Sequence, residues 1–183
     1  MNTALPHPYA VPAALDLARR GLAVFPIEPW GRIPGLGWQK TTTTDPTHIR
    51  ARFANGGNIG VACRASNIVV LDLDRHADGP DGIAGWEALC ADHEENPPAT
   101  FTAVTPNGGL HVYFQAPAGA TITSSSGPRP GIPAGIDVRA PGRRSGGYVM
   151  GPGSQVDAGR YRIARDAPLL PLPTWLTAAL SGQ

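Results

Sequence analysis

Three short stretches of the chain put ionisable side chains among alternating apolar ones. In Ile68-Val69-Val70-Leu71-Asp72-Leu73-Asp74, four apolar residues lead into two carboxylates spaced two apart. Side chains alternate along a strand, so Asp72 and Asp74 share a face. Two carboxylates that close repel unless a cation lies between them or one holds a proton, and an all-oxygen pair suits Mg²⁺ or Mn²⁺. In Leu110-His111-Val112-Tyr113-Phe114-Gln115 the apolar face is Leu110, Val112 and Phe114, and the other face is His111, Tyr113 and Gln115. In Ile136-Asp137-Val138-Arg139, Asp137 and Arg139 alternate with two apolar residues. Three aspartates, one histidine and one arginine on a common face meet the needs of phosphoryl transfer, with carboxylates for divalent ions and donors for a polyphosphate. Without a cation such a face is self-repulsive, so neutralising any one aspartate is expected to raise stability.

These stretches need elements to hold them. Tyr9 to Arg20, closed by Gly21, predicts a first helix, and Leu22 to Ile27 a short strand. Pro29 to Thr44 is a Gly, Pro and Thr-rich loop, after which Asp45-Pro46 predicts an N-cap and first helical residue for a helix running to Ala54. Asn58 to Cys63 and Asn67 to Asp74 read as adjacent strands joined by a tight Arg64-Ala65-Ser66 connection. Gly82 to His93 is a helix with Trp86 and Leu89 on one side. Phe101 to Thr105 and Leu110 to Gln115 form a hairpin through Pro106-Asn107-Gly108-Gly109. Strands at Ile136 to Arg139, Tyr148 to Met150 and Arg160 to Ile163 follow, then a terminal helix over Pro173 to Leu180 within residues 170–183. Helices early, strands late and hairpin connections predict an α+β protein with a mostly antiparallel sheet, one face of it free.

Composition limits the alternatives. With 183 residues the chain supports one compact domain, and 23 glycines with 20 prolines predict short strands and many turns. Its apolar runs are too short to cross a membrane, and no leader pattern opens it, so a cytoplasmic location is expected. Cys63 and Cys90 form no Cys-x-x-Cys pair and have no paired histidines nearby. They read as small buried apolar residues, and no zinc is expected. The net charge is only +1, but it is unevenly spread. Residues 72–95 carry eight acids against Arg75 alone, whereas 121–165 carry seven arginines against Asp137 and Asp157. The bland account is a solvated acidic helix and arginine-rich loops; the functional one is a surface for nucleic-acid phosphates.

In order and spacing, Asp72-Leu73-Asp74, Gly108-Gly109-Leu110-His111, Gly135-Ile136-Asp137-Val138-Arg139 and Gly146-Gly147-Tyr148-Val149-Met150-Gly151-Pro152-Gly153-Ser154 resemble the bifunctional primase-polymerase domain of plasmid and phage replication proteins, in the archaeo-eukaryotic primase superfamily. Val24-Phe25-Pro26-Ile27, Gly31-Arg32-x-Pro34, Thr44-Asp45-Pro46 and Asn58-Ile59-Gly60 extend the likeness, which runs from Ala14 to Ile163. The resemblance implies a core similar to the RNA-recognition fold packed with an N-terminal α/β unit. It implies Asp72, Asp74 and Asp137 as catalytic acids holding two Mg²⁺ or Mn²⁺ ions, and His111, with Arg139 and Gly109, at the nucleotide's phosphates. Substrates and partners would be nucleoside triphosphates, a DNA template and primer, and a helicase domain or protein. Two departures stand out: Arg32 replaces a common lysine, and Arg143-Arg144-Ser145 lengthens a usually tighter glycine-rich segment. Two rival readings use the same residues. A Mn²⁺-dependent nucleotide-sugar glycosyltransferase also uses Asp-x-Asp, but needs alternating strands and helices. A non-catalytic single-stranded nucleic-acid-binding module would stack bases on exposed aromatics such as Tyr113.

Overall fold

The computed structural model describes residues 9–75, 78–127, 129–144 and 146–181. Helix α1 (Ala10–Arg19) leads into strand β1 (Val24–Ile27). The loop after it contains a short 3₁₀ turn over Trp38–Thr41. Helix α2 (Pro46–Arg52) starts as predicted, with the Asp45 carboxylate accepting from the His48 amide at 2.9 Å. Strand β2 (Asn58–Ala62), the single helical turn α3 (Cys63–Ser66) and strand β3 (Ile68–Leu73) follow. Helix α4 (Gly82–Asp92) is capped by Asp81, whose side chain accepts from the amides of Ile83 and Ala84. The hairpin β4 (Thr102–Val104) and β5 (Leu110–Gln115) then precedes β6 (Ile136–Arg139) and β7 (Tyr148–Met150). The chain closes with β8 (Gln155–Val156), β9 (Gly159–Arg160), β10 (Arg162–Arg165), β11 (Leu170–Pro171) and α5 (Thr174–Ser181). Of the Arg143-Arg144-Ser145 segment, Ser145 lies outside the described residues.

The fold is α+β, and among the described residues the strands pair antiparallel except where β11 runs parallel to β5. The main sheet has the order β10-β4-β5-β3-β6, and a smaller one the order β1-β2-β7. The sequence reading of β2 and β3 as adjacent strands is therefore wrong. Residues 63–66 coil into α3, which Asn67 ends in a left-handed conformation (φ 49°), turning the chain out of one sheet into the other. Asn tolerates that backbone, and a three-residue link read as a hairpin concealed it.

The expectation of a free sheet face also fails. One face of the main sheet (Val69, Leu71, Val112, Phe114, Val138) packs with α4 and α5 through Trp86, Cys90, Leu176 and Leu180. At the Ile68, Val70 and Tyr113 end, the opposite face is buried with α1, α2 and the small sheet through Ala14, Leu17, Phe53, Ile59 and Val149. Each large apolar side chain so buried contributes about 1.5–3 kcal/mol. Only the end of that face carrying Asp72 opens to a cleft, whose far wall is the small sheet. Cys63 and Cys90 are fully buried, in separate clusters, as expected for small apolar residues.

Candidate active site

Register builds the site. Asp72 lies directly opposite His111 on β5 and Asp137 on β6, so the three side chains stand abreast on one face. Two residues along, Val70 pairs with Tyr113 and with Arg139. The end of β3 is fixed by backbone: the Asp74 amide donates to the Gly135 carbonyl at 2.8 Å, and the Asp74 carbonyl accepts from the Gly82 amide at 2.8 Å. Glycine is required there, because a Cβ on Gly82 would stand 2.1 Å from the Gly135 oxygen. Gly109 has a similar task. A Cβ on it would meet the Leu73 carbonyl at 2.4 Å, so it lets the β4–β5 turn approach the Asp72–Asp74 segment.

The cleft over Asp72 and His111 has a volume of about 510 Å³ and is lined by these two, Arg139, Ser124, Gly146, Gly147 and, on the opposite wall, Arg32, Trp38, Tyr148, Met150 and Tyr161. A smaller recess of about 110 Å³ is lined by Asp72, Asp74, Arg32, Arg75, Thr105, Pro106, Asn107, His111 and Tyr161. Asp72 and Asp74 share a recess, whereas Asp137 and Gly109 line neither cavity.

Electrostatically, the row is held by Arg139. Its Nη2 lies 2.8 Å from Asp137 Oδ2 and 3.7 Å from Asp72 Oδ2, and its Nη1 donates to Ser126 Oγ at 2.8 Å. The other Asp137 oxygen accepts from the Gly127 amide at 2.7 Å. On the far side of Asp72, His111 Nε2 is 3.3 Å from Oδ1. Burial pushes the Asp72 carboxyl up, but His111 and then Arg139 outweigh it and hold it below the usual range. The contacts point against the sequence expectation for stability: Asp72 and Asp137 are not bare like charges but share a guanidinium, so removing either charge is expected to destabilise.

Among the described residues, no three His, Cys, Asp or Glu side chains stand close enough together to hold one ion as they are. The donor chemistry still fits hard divalent cations: Asp72 and Asp137 already converge on a cationic nitrogen, and Asp74 opens into the same recess as Asp72.

Sequence reasoning assigned no role to Arg32, Tyr148, Trp38 or Tyr161. Arg32 lines both cavities, and its carbonyl accepts from the Tyr148 hydroxyl at 3.2 Å. Trp38 stacks on Phe25 at 4.3 Å and meets Tyr148 edge-on at 5.4 Å, making an aromatic wall. The Tyr161 ring is 5.6 Å from that of His111, and burial pushes its phenol up. Arg32 and Tyr148 lie within motifs of the family resemblance, whereas Trp38 and Tyr161 sit in a 3₁₀ turn and a loop without periodic signal, so that only fold-level placement reveals them.

The rivals lose ground on the same observations. Tyr113 is fully buried in the apolar cluster and presents no ring for base stacking. Among the described residues the largely antiparallel sheets show no run of the alternating βα units a nucleotide-sugar glycosyltransferase needs. No helix among the described residues is long and apolar enough to cross a membrane.

A comparison with curated proteins returns no significant match. The family model described as bifunctional DNA primase/polymerase, N-terminal, matches residues 14–175, extending past the span from Ala14 to Ile163 over which the motifs were recognised. Its reach over nearly the whole sequence establishes that the chain belongs to the bifunctional DNA primase/polymerase family, in its N-terminal domain.

Proposed function

We propose that this chain is a template-directed DNA primase-polymerase domain that extends a 3′-hydroxyl with nucleoside triphosphates in the cleft above His111 and Asp72, with Asp137 beside them. The observation that carries the reading is the cross-strand row itself, of which Asp72 and His111 line a cleft large enough for a nucleotide, with a guanidinium beside it. The 3′-oxygen bonds to the α-phosphorus, the bond from that phosphorus to the bridging oxygen breaks, pyrophosphate leaves with the electron pair, and the hydroxyl proton passes to solvent. Asp72, Asp74 and Asp137 would hold two divalent ions, which supply charge stabilisation to the attacking and departing oxygens.

The chain's own groups position the substrate. With Asp72 and Asp137 engaged, Arg139 is released to bind phosphate oxygens, for which its planar fork is suited. The Nε2–H of His111, now aimed at Asp72, is the neighbouring donor. Arg32 approaches from the opposite wall, and Trp38 and Tyr148 exclude water around the nucleoside. Extension of a labelled primer on a DNA template in Mn²⁺ or Mg²⁺ tests the reading. Template-dependent products from the native chain, and none from Asp72→Asn, are expected; extension that survives Asp72→Asn would remove the row from the chemistry.

A further inference from the structure

The catalytic row does not stop at His111. His111 pairs with Ala103 on β4, and Ala103 with Ile163 on β10, so Ile163, Ala103, His111, Asp72 and Asp137 form one line across the sheet on a single face. At about 4.8 Å per strand, Ile163 lies roughly 14 Å from Asp72. That end of the line opens into a second groove of about 330 Å³, bordered by Tyr9, Asp16, Arg160, Arg162, Ile163 and Tyr161. Tyr161, itself buried, lines both this groove and the cleft, so the two adjoin at this residue.

The groove combines flat apolar surface with positive charge. Tyr9 is 59% exposed and Ile163 38% exposed, two of the five exposed large apolar residues among those described. The Arg160 guanidinium sits 5.9 Å over the Tyr9 ring, and Arg162 has no ion-pair partner among the described residues. The one acid in the wall, Asp16, is already held by Arg19 at 3.0 Å and Arg20 at 3.1 Å. Aromatic and aliphatic surface for bases, arginines for the backbone and continuity with the polymerising cleft are the needs of a single strand.

We propose that this groove carries the single-stranded DNA template to the cleft, with Tyr161 at the point where the strand enters. The inference rests on the polymerase reading above and adds the strand's path. A span of roughly 14 Å accommodates on the order of four stacked nucleotides at about 3.4 Å each. The rival site for the strand is the pair Arg143 and Arg144.

The test is fluorescence anisotropy of a labelled oligothymidylate over a salt series, using the native chain, Arg160→Gln with Arg162→Gln, and Arg143→Gln with Arg144→Gln. Both groove arginines are exposed, so neutral replacements should leave the fold intact. Two lost contacts to a single strand should lower the salt slope by about 1.4 and the affinity by about 25-fold at about 0.1 M salt. A further change of Ile163→Asp should weaken binding again. Unchanged affinity and slope in the groove variant, loss in the Arg143 and Arg144 variant alone, or no binding by the native chain at low salt overturns the proposal. So does a groove variant that changes only the sedimenting mass, since the groove would then seat a second copy. Calorimetric titration with Mn²⁺ and thymidine triphosphate, expected to be equal for native and groove-variant chains, reports separately on the polymerase reading.

Discussion

Asp137→Asn separates a site held together by Arg139 from three carboxylates that merely repel. Asn keeps an acceptor for the Gly127 amide, now 2.7 Å from Oδ1, but turns the other end into an amide donor facing Arg139 Nη2 at 2.8 Å. One charge-assisted hydrogen bond, worth about 1.5–3 kcal/mol, is lost. The loss is tempered, because Arg139 is 27% exposed and keeps Ser126 and the longer approach to Asp72. A net destabilisation of about 1–2 kcal/mol follows, which for a chain of this size lowers Tm by roughly 3–6 °C. Urea unfolding in EDTA gives the stability directly, and primer extension on the same preparation gives the activity. The expected result is a folded, somewhat weakened protein without polymerisation. A variant as stable as the native chain, or more so, would refute the Arg139 bridge, and one that also polymerises normally would remove Asp137 from the site.

Other expectations share that basis. His111→Ala should weaken nucleotide use by about one to two decades, the equivalent of 1.5–3 kcal/mol, while circular dichroism stays native; normal extension at limiting nucleotide would sink its role. Asp72 titrates below its ordinary value in the native state, so its ionised form stabilises the fold above the unfolded value near 3.8, and this contribution is lost as pH falls through the lowered native value. The stability difference between native and Asp72→Asn chains in EDTA should therefore be full at neutral pH and vanish in strong acid; a pH-independent difference would refute it. Gly82→Ala drives a Cβ to 2.1 Å from the Gly135 oxygen, a backbone atom no rotamer change can move, and should cost about 1–3 kcal/mol and displace the Asp74 segment. Undiminished stability there would show that α4 is free to shift.

What the sequence disclosed about the site was the part written in period two. Asp72, His111, Asp137 and Arg139 alternate with apolar neighbours, and the alternation fixes their common face before any register is known. The helix start at Asp45-Pro46 and the hairpin at 106–109 were legible because cap and turn chemistry is local. What stayed hidden was set by distant packing. Nothing between Ala62 and Ile68 announces that the chain changes sheets, because the left-handed Asn67 that turns it serves a hairpin equally well. The placement of the small sheet over half of the polar face was hidden too, and with it the burial of Tyr113 and the approach of Arg32, Trp38 and Tyr148.

That covering sheet explains why a weak motif can support a strong site. A bare sheet face would expose Asp72 to water, where a guanidinium at 3.7 Å is screened almost to nothing. Packing α1 and the small sheet over Val70 and Tyr113 leaves Asp72 only 18% and Asp137 only 16% exposed. The same burial that penalises each charge strengthens its attraction to Arg139 and His111, and the net result for Asp72 is an ionised carboxylate. On the proposed function such a site is poised rather than relaxed: its negative charges are offset by the Arg139 guanidinium, which a polyphosphate would draw away. Mn²⁺ should therefore bind more tightly when a nucleoside triphosphate is present than when it is absent, and the coupling should be lost in Arg139→Gln.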